Sequence, residues 1–246
     1  MRHALPTFIA AMALSLGASP RDAAAAPGPA DGVDGPQVVK GELTVHLGFA
    51  RLLTQRSDAD DVVNAEVGYD FSNRFRLTAN SDIADVRHSP FVSSTTVEAL
   101  YNIGRIAGVE TAFRLGYNHP WRERDDSVEA TLLITKIHEP FEGDLNLVAQ
   151  QDLTGRRDAD LGYALLAVVR TTENLQLGVK ALGGLAATRG FGGQAKYLGP
   201  SAVVTVPVPQ AGGQIRIEAA YLIARGVPHG DPTGLWSLVA EWERVF

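Results

Sequence analysis

In the alternating runs of the chain, nearly all charged side chains fall on one of the two alternating sets of positions. Groups two residues apart share one face of an extended strand, where they can pair with each other or surround a passing ion. The charged residues that share this face number 11 acids and 5 bases, which leaves an excess of negative charge. The candidates for lining a polar interior or setting its selectivity are Glu42, His46, Glu66, Arg76, Asp82, Glu98, Glu110, Arg114, Glu129, Lys180, Arg216 and Glu218, and the full set adds Asp70, Asp152, Arg170, Glu241 and Glu243.

Groups suited to catalysis or metal binding are few. The chain has no cysteine, which excludes thiolate ligands and a cysteine nucleophile. His46 shares a face with Glu42, but no motif supplies the nucleophile and orienting group that a hydrolase needs. His88, His119 and His229 fall in three separate polar connections, where polar side chains are expected without a metal. We therefore predict neither an enzyme nor a metal or cofactor site.

The elements that position these charges are short alternating runs. Runs of about ten residues, the length of a tilted membrane-crossing strand, alternate apolar and non-apolar residues. The connections between runs are alternately tight and long, and the second long one is predicted over Asp85 to Ser94. We predict twelve strands, over about 41–51, 61–71, 74–84, 95–103, 108–118, 127–137, 144–153, 161–170, 174–183, 197–208, 213–224 and 235–246.

The opposite face of each predicted strand carries no charge. A soluble sandwich or a lipocalin would show the same alternation with its faces exchanged, so alternation alone does not decide between them. Aromatic residues near the ends of the runs favour two interfacial belts, and an even number of strands suits an outer-membrane barrel. We therefore predict an all-β fold, a twelve-stranded antiparallel up-and-down transmembrane β-barrel. The predicted aromatic girdle is Phe49, Tyr69, Phe75, Tyr101, Tyr117, Trp236 and Trp242.

The first part of the chain reads as an export signal. A short basic start, an apolar stretch too short to span a bilayer and a run of alanines predict a cleaved signal peptide over 1–26. The stretch 27–38 is rich in Pro, Gly and Asp, and we expect a flexible periplasmic lead-in that does not pack. The barrel is predicted over 39–246.

The final run, LWSLVAEWERVF at 235–246, resembles the terminal β-signal of Gram-negative outer-membrane proteins. Trp242 and Phe246 match its aromatic positions, whereas Arg244 stands where an aromatic or apolar residue is commoner. The resemblance implies that these residues engage the outer-membrane assembly machinery. In size and strand count the chain is similar to small twelve-stranded outer-membrane channels for acidic sugars or nucleosides, and to barrels found near aromatic-degradation genes.

The function expected from these features is a passive, porin-like channel for a small solute in the cell outer membrane. One alternative is a non-conducting barrel with a plugged lumen that serves surface binding or envelope structure. A lipid-modifying outer-membrane enzyme ranks third. The expected partners are outer-membrane lipid and lipopolysaccharide, and the net charge of −6 gives no reason to expect nucleic acid.

Overall fold

The structure is a computed structural model that describes residues 30, 32–53, 60–86, 89–121, 125–153, 159–187, 190–191, 196–209, 213–225 and 234–246. Within this part of the chain, no helix has the length and apolar character needed to cross a membrane. The predicted signal peptide over 1–26 lies outside the described residues.

The fold is built from antiparallel strands alone. Twelve long strands alternate in direction, and a two-residue strand, β10, extends the hairpin that follows β9. The strands are β1 (Glu42–Leu53), β2 (Asp60–Ser72), β3 (Phe75–Val86), β4 (Ser89–Ile106), β5 (Val109–Pro120), β6 (Ser127–His138), β7 (Phe141–Asp152), β8 (Ala159–Arg170), β9 (Leu175–Ala187), β10 (Gly190–Phe191), β11 (Lys196–Val208), β12 (Gly213–Arg225) and β13 (Gly234–Val245).

The sheet closes on itself between its first and last strands. β1 pairs with β13 in an unbroken register from Glu42↔Val245 to Leu53↔Gly234. All other neighbours are consecutive long strands, apart from the small β10 extension. Closure satisfies the backbone groups that an open edge would expose to lipid. The predicted twelve-stranded antiparallel barrel is confirmed.

The prediction of one long loop is wrong, because most of that stretch belongs to paired strands. The sequence pattern placed a connection over Asp85 to Ser94, but β3 runs to Val86 and β4 begins at Ser89. The ladder continues through Ile83↔Val92, with a register shift that leaves Ser93 without a paired residue. This bulge breaks the alternation of the sequence without breaking the strand, which is why the pattern looked like a loop.

The two faces of the barrel differ in polarity. Large apolar side chains such as Leu47, Val97 and Leu115 are more than half exposed on the outer surface. The intervening positions point into the lumen, where Thr44, His46 and other polar residues are buried. Apolar groups therefore face lipid and polar groups face the interior, as in an outer-membrane barrel.

The expectation that 27–38 does not pack is wrong for the part that the structure describes. Ala30, Val33 and Val38 are buried inside the barrel. We call Ala30 together with 32–40 the lumen segment. It enters the barrel at the end where the tight turns lie and runs along the lumen, in contact with inward side chains of the strands. Its apolar and acidic side chains find matching groups on the inner wall, which outweighs the flexibility suggested by its Gly and Pro content.

Leu47 lies in the middle of β1 on the outer surface, where an introduced charge would face hydrocarbon. We expect Leu47→Arg to destabilise the folded barrel by about 2–4 kcal/mol. The loss is measured by urea denaturation monitored through heat-modifiable migration in electrophoresis. The matched control, Asn80→Arg, places the same side chain on the inner face opposite Glu66 and should cost less. Equal losses would contradict the assignment of faces.

Candidate lumenal site

The centre of the lumen holds an ion pair between the lumen segment and the wall. Arg114 Nη1, on β5, lies 2.5 Å from Asp34 Oδ2. Two further carboxylates surround the same guanidinium, Glu98 at 3.5 Å and Glu129 at 3.8 Å. Three acids therefore share one cation, and Asp34 is the one that is hydrogen-bonded to it.

Side-chain amides of the wall bind the backbone of the lumen segment. In the amide orientation that satisfies both of its polar atoms, Asn146, on β7, donates to the Asp34 carbonyl at 3.1 Å and accepts from the Asp34 N–H at 3.1 Å. Asn102, on β4, donates from Nδ2 to the Pro36 carbonyl at 2.6 Å. These contacts recognise an extended peptide rather than a particular side chain.

Apolar side chains of the segment enter two patches on opposite walls. Val33 belongs to a buried cluster formed by strands β8, β9 and β11–β13. Val38 packs on the other side, in a smaller cluster with Leu100, Ala112 and Leu133 from β4–β6. The wall residues around Val33 are Ala164, Leu166, Val168, Leu182, Val203, Ala220, Leu222 and Leu235. The barrel interior is therefore partly apolar, and the segment covers that part.

A glycine on β1 allows the segment to approach the wall closely. A Cβ at Gly48 would overlap the Ala30 carbonyl oxygen, so only glycine fits this position. Beside it, a Cβ built on Gly32 would lie 3.3 Å from the His46 ring. His46, predicted as a lumen residue, is thus buried against the segment rather than facing open water.

A second ion cluster fixes the segment where it enters the barrel. Arg76 binds Asp70 at 2.5 Å and Glu42 at 2.9 Å. The fully buried Asp70 also accepts the Val39 N–H at 2.7 Å. Asn73, in the turn after β2, accepts the Lys40 N–H at 3.0 Å. The segment is therefore anchored at its C-terminal end before it rises into the lumen.

The structure separates some predicted residues that the sequence pattern grouped. Glu98, Glu110 and Glu129 lie on consecutive strands, yet only the first and last approach Arg114. Glu110 instead pairs with the exposed Arg105 at 3.1 Å, close to the tight turn after β4. Its position at the rim follows from the register, which matches Glu110 with Arg105 at the end of the hairpin.

The remaining candidates form smaller groups on the wall. Lys180 and Glu218 make a fully buried pair at 2.6 Å. Asp82 accepts from Asn64 at 2.9 Å and from Ser94 at 2.8 Å. In the strand register, Arg216 lies opposite Glu241, and Glu66 lies opposite His46.

Sequence reasoning missed the residues that hold the segment. Asp34, Asn102 and Asn146 were not among the candidates, because the first lay in a stretch expected not to pack and the amides carry no charge. The available signal was the presence of Val33, Asp34 and Val38 in a stretch otherwise rich in Gly and Pro, because these side chains can be buried against a wall or pair with a charge.

At the opposite end of the barrel, polar and aromatic groups cluster around Asp126. Tyr117 donates to Asp126 at 2.5 Å, and the His119 ring lies 2.7 Å from the same carboxylate. Hydrogen bonds from Tyr117 and then His119 hold the pKa of Asp126 below its ordinary value. Trp121 stacks edge-on against His119 with ring centroids 5.1 Å apart. His88 and His229 lie outside the described residues, so the structure does not test whether the three histidines converge.

The aromatic residues predicted as a girdle lie on the outer face. Tyr101 is exposed next to the half-buried Phe75, its register partner, at the end with tight turns. Trp236 packs against Tyr221 toward the other end, with centroids 4.5 Å apart. Of the predicted girdle, Phe49, Tyr69 and Tyr117 are also exposed, and Trp242 is half-buried.

This fold is that of a small outer-membrane β-barrel. Similar solved structures include the COG4313 outer membrane channel from Pseudomonas putida F1, with a TM-score of 0.57 and 13% identity over 89% of this chain and 99% of that chain. The NanC porin has a TM-score of 0.54 and 12% identity over 83% and 99% of the two chains. The KdgM porin has a TM-score of 0.51 and 9% identity over 80% and 98%. At these identities the likeness shows the fold alone. No protein-family model and no curated protein sequence matches the chain.

The buried pair Lys180–Glu218 gives a direct test of the inner wall. Lys180→Met leaves the Glu218 charge buried without its partner, and we expect a loss of about 3 kcal/mol or more in the free energy of unfolding. The double variant Lys180→Met/Glu218→Leu removes both charges and should recover most of that loss. Urea denaturation in detergent measures both. A double variant as unstable as the single one would show that the pair does not account for the loss.

Proposed function

We propose that the protein is a passive channel for small solutes in the outer membrane, with a lumen that the lumen segment narrows. The observation that carries this proposal is the wall of β1–β7, where charged side chains point inward and stay partly accessible. The Arg76, Arg114 and Glu129 side chains are 14%, 14% and 26% exposed. A barrel filled only for stability would bury such groups completely or replace them with apolar ones.

The fold of the similar structures supports the same proposal. Two of them are described as porins and one as an outer membrane channel. Twelve strands enclose a lumen wider than that of eight-stranded barrels, which side chains alone can fill. The segment therefore occupies space that the strands leave open.

A second candidate function is favoured by one observation. The lumen segment is held at several points along its length, and a barrel that kept it permanently seated would pass no solute. Such a protein would be a non-conducting barrel with a plugged lumen that serves surface binding or envelope structure. No contact among the described residues favours the lipid-modifying enzyme, since His46 lies against the lumen segment.

We also propose export through the signal peptide over 1–26 and insertion among outer-membrane lipid and lipopolysaccharide. The outer position of Trp242, which pairs in register with Val45 and Ile215, supports contact with the assembly machinery. Arg244 lies over the Phe246 ring at 4.5 Å, so the unusual arginine of the terminal signal has a cation–π partner.

The first test of the channel weakens the lumen segment. Val33→Ser/Asp34→Asn removes one apolar contact and one charged hydrogen bond. We expect it to shift the equilibrium between the seated and the unseated lumen segment about tenfold toward the unseated state. We expect a corresponding rise in the mean conductance of planar bilayers. Gln37→Ser, which changes an exposed side chain of the same segment, is the control and should conduct like the wild type. If the double variant inserts and conducts no current, the second candidate function stands instead.

The second test concerns charge selectivity. The excess of inward acids should make the open pore prefer cations, because low-dielectric walls strengthen the field of a single-sign excess. Glu98→Gln/Glu129→Gln should lower this preference, measured as the reversal potential across a KCl gradient. Glu110→Gln, at the rim beside Arg105, should change it less. Screening should weaken the preference at high salt. An unchanged reversal potential in the double variant would show that these two acids do not contribute to the cation selectivity of the pore.

A further inference from the structure

The lumenal site binds a peptide, and that peptide belongs to the chain itself. Over residues 32–36 the wall supplies three kinds of contact that a peptide needs. The Asn146 and Asn102 amides bind backbone groups, an apolar cluster takes the Val33 side chain, and Arg114 takes the Asp34 carboxylate. All of these wall groups lie on strands of the barrel.

We propose that, when the lumen segment is unseated, this site binds short peptides from solution in which an apolar residue is followed by a carboxylate. This inference deepens the proposed channel function and rests on it, because a free peptide reaches the site only through the lumen. The wall binds backbone groups through two amides, and a simple carboxylic acid lacks these groups. The apolar patch and Arg114 then select the side chains.

The charge of the surroundings favours a peptide over a simple anion. Arg114 already faces Glu98 and Glu129, so an added carboxylate alone would enter a region with excess negative charge. A short peptide with a free amino terminus brings a positive charge into the same acidic lumen, and this charge offsets one of its carboxylates. The ligand class is therefore a peptide with a free amino terminus rather than a simple carboxylate anion.

The spacing of the contacts also matches a peptide. Val33 and Asp34 are consecutive, and their side chains reach opposite walls, β8–β13 on one side and β5 on the other. Consecutive side chains of an extended chain point in opposite directions, so a bound peptide presents its apolar group and its carboxylate to both walls at once. A compact solute of similar mass cannot reach both.

The test uses the full chain carrying Val33→Ser/Asp34→Asn, folded in detergent, and isothermal titration with the peptide Gly-Val-Asp-Gly-Pro, which has a free amino terminus and an amidated C-terminus. We expect it to bind at least about tenfold more tightly than Gly-Ser-Asn-Gly-Pro, and at least about tenfold more tightly to this variant than to the wild type. Adding Asn146→Ala should weaken binding about tenfold, because two hydrogen bonds to the backbone are lost. Equal affinities for the two peptides, or no effect of Asn146→Ala, would overturn the proposal.

A second variant covers the case in which the double substitution does not fold. Asp34→Asn alone removes the ion pair between the segment and Arg114 and leaves every wall group that contacts residues 32–36 unchanged. It should bind the same peptide with the same preference, and failure of both variants to bind it would also overturn the proposal.

When the free tripeptide Gly-Val-Asp is added to one side of a bilayer that contains either variant, it should interrupt the current through the pore more often than Gly-Ser-Asn does. A variant that binds the peptide in titration but conducts no current would refute the channel and leave the peptide site standing.

Discussion

The satisfaction of backbone hydrogen bonds in lipid is the constraint on which the structure depends. Each strand must pair on both sides, because an unpaired N–H or carbonyl in hydrocarbon costs several kcal/mol. The unbroken register between β1 and β13 meets this demand and fixes the barrel as a closed body. With closure set, the two-residue period of a strand dictates that every second side chain faces lipid. Within the lipid-embedded part of the strands, charged side chains can then lie only on the face that lines the lumen.

The interior that closure creates is uneven, and the lumen segment follows from that unevenness. The wall of β8, β9 and β11–β13 carries an apolar patch, while β1–β7 carry most of the ionic groups. An apolar patch facing water is unfavourable, and a guanidinium inside a barrel needs a partner. The lumen segment satisfies both requirements, because Val33 covers the apolar patch and Asp34 pairs with the Arg114 guanidinium.

The sequence predicted the barrel well because strand alternation is a local property. The inward position of Arg114 or Glu98 follows from counting by two along a single run. Which inward groups meet depends on the shear of neighbouring strands and on bulges such as the one at Ser93, which no single run records. Glu110 therefore lies at the rim although its neighbours lie at the centre. The lumen segment escaped prediction for a different reason, because its Gly and Pro residues describe a flexible chain and its binding depends on a wall formed by distant strands.

The tether between the lumen segment and β1 limits what can displace it. The segment joins β1 directly through Lys40 and Gly41, so its effective concentration at the site is on the order of millimolar. A free peptide that makes only the same contacts competes equally at that concentration and loses below it. A peptide that displaces the segment at lower concentration must therefore also bind groups that the segment leaves partly accessible, such as the Glu129 carboxylate, which is 26% exposed beside Arg114. At the proposed peptide site, the tether therefore sets the concentration that a free peptide must reach before it displaces the segment.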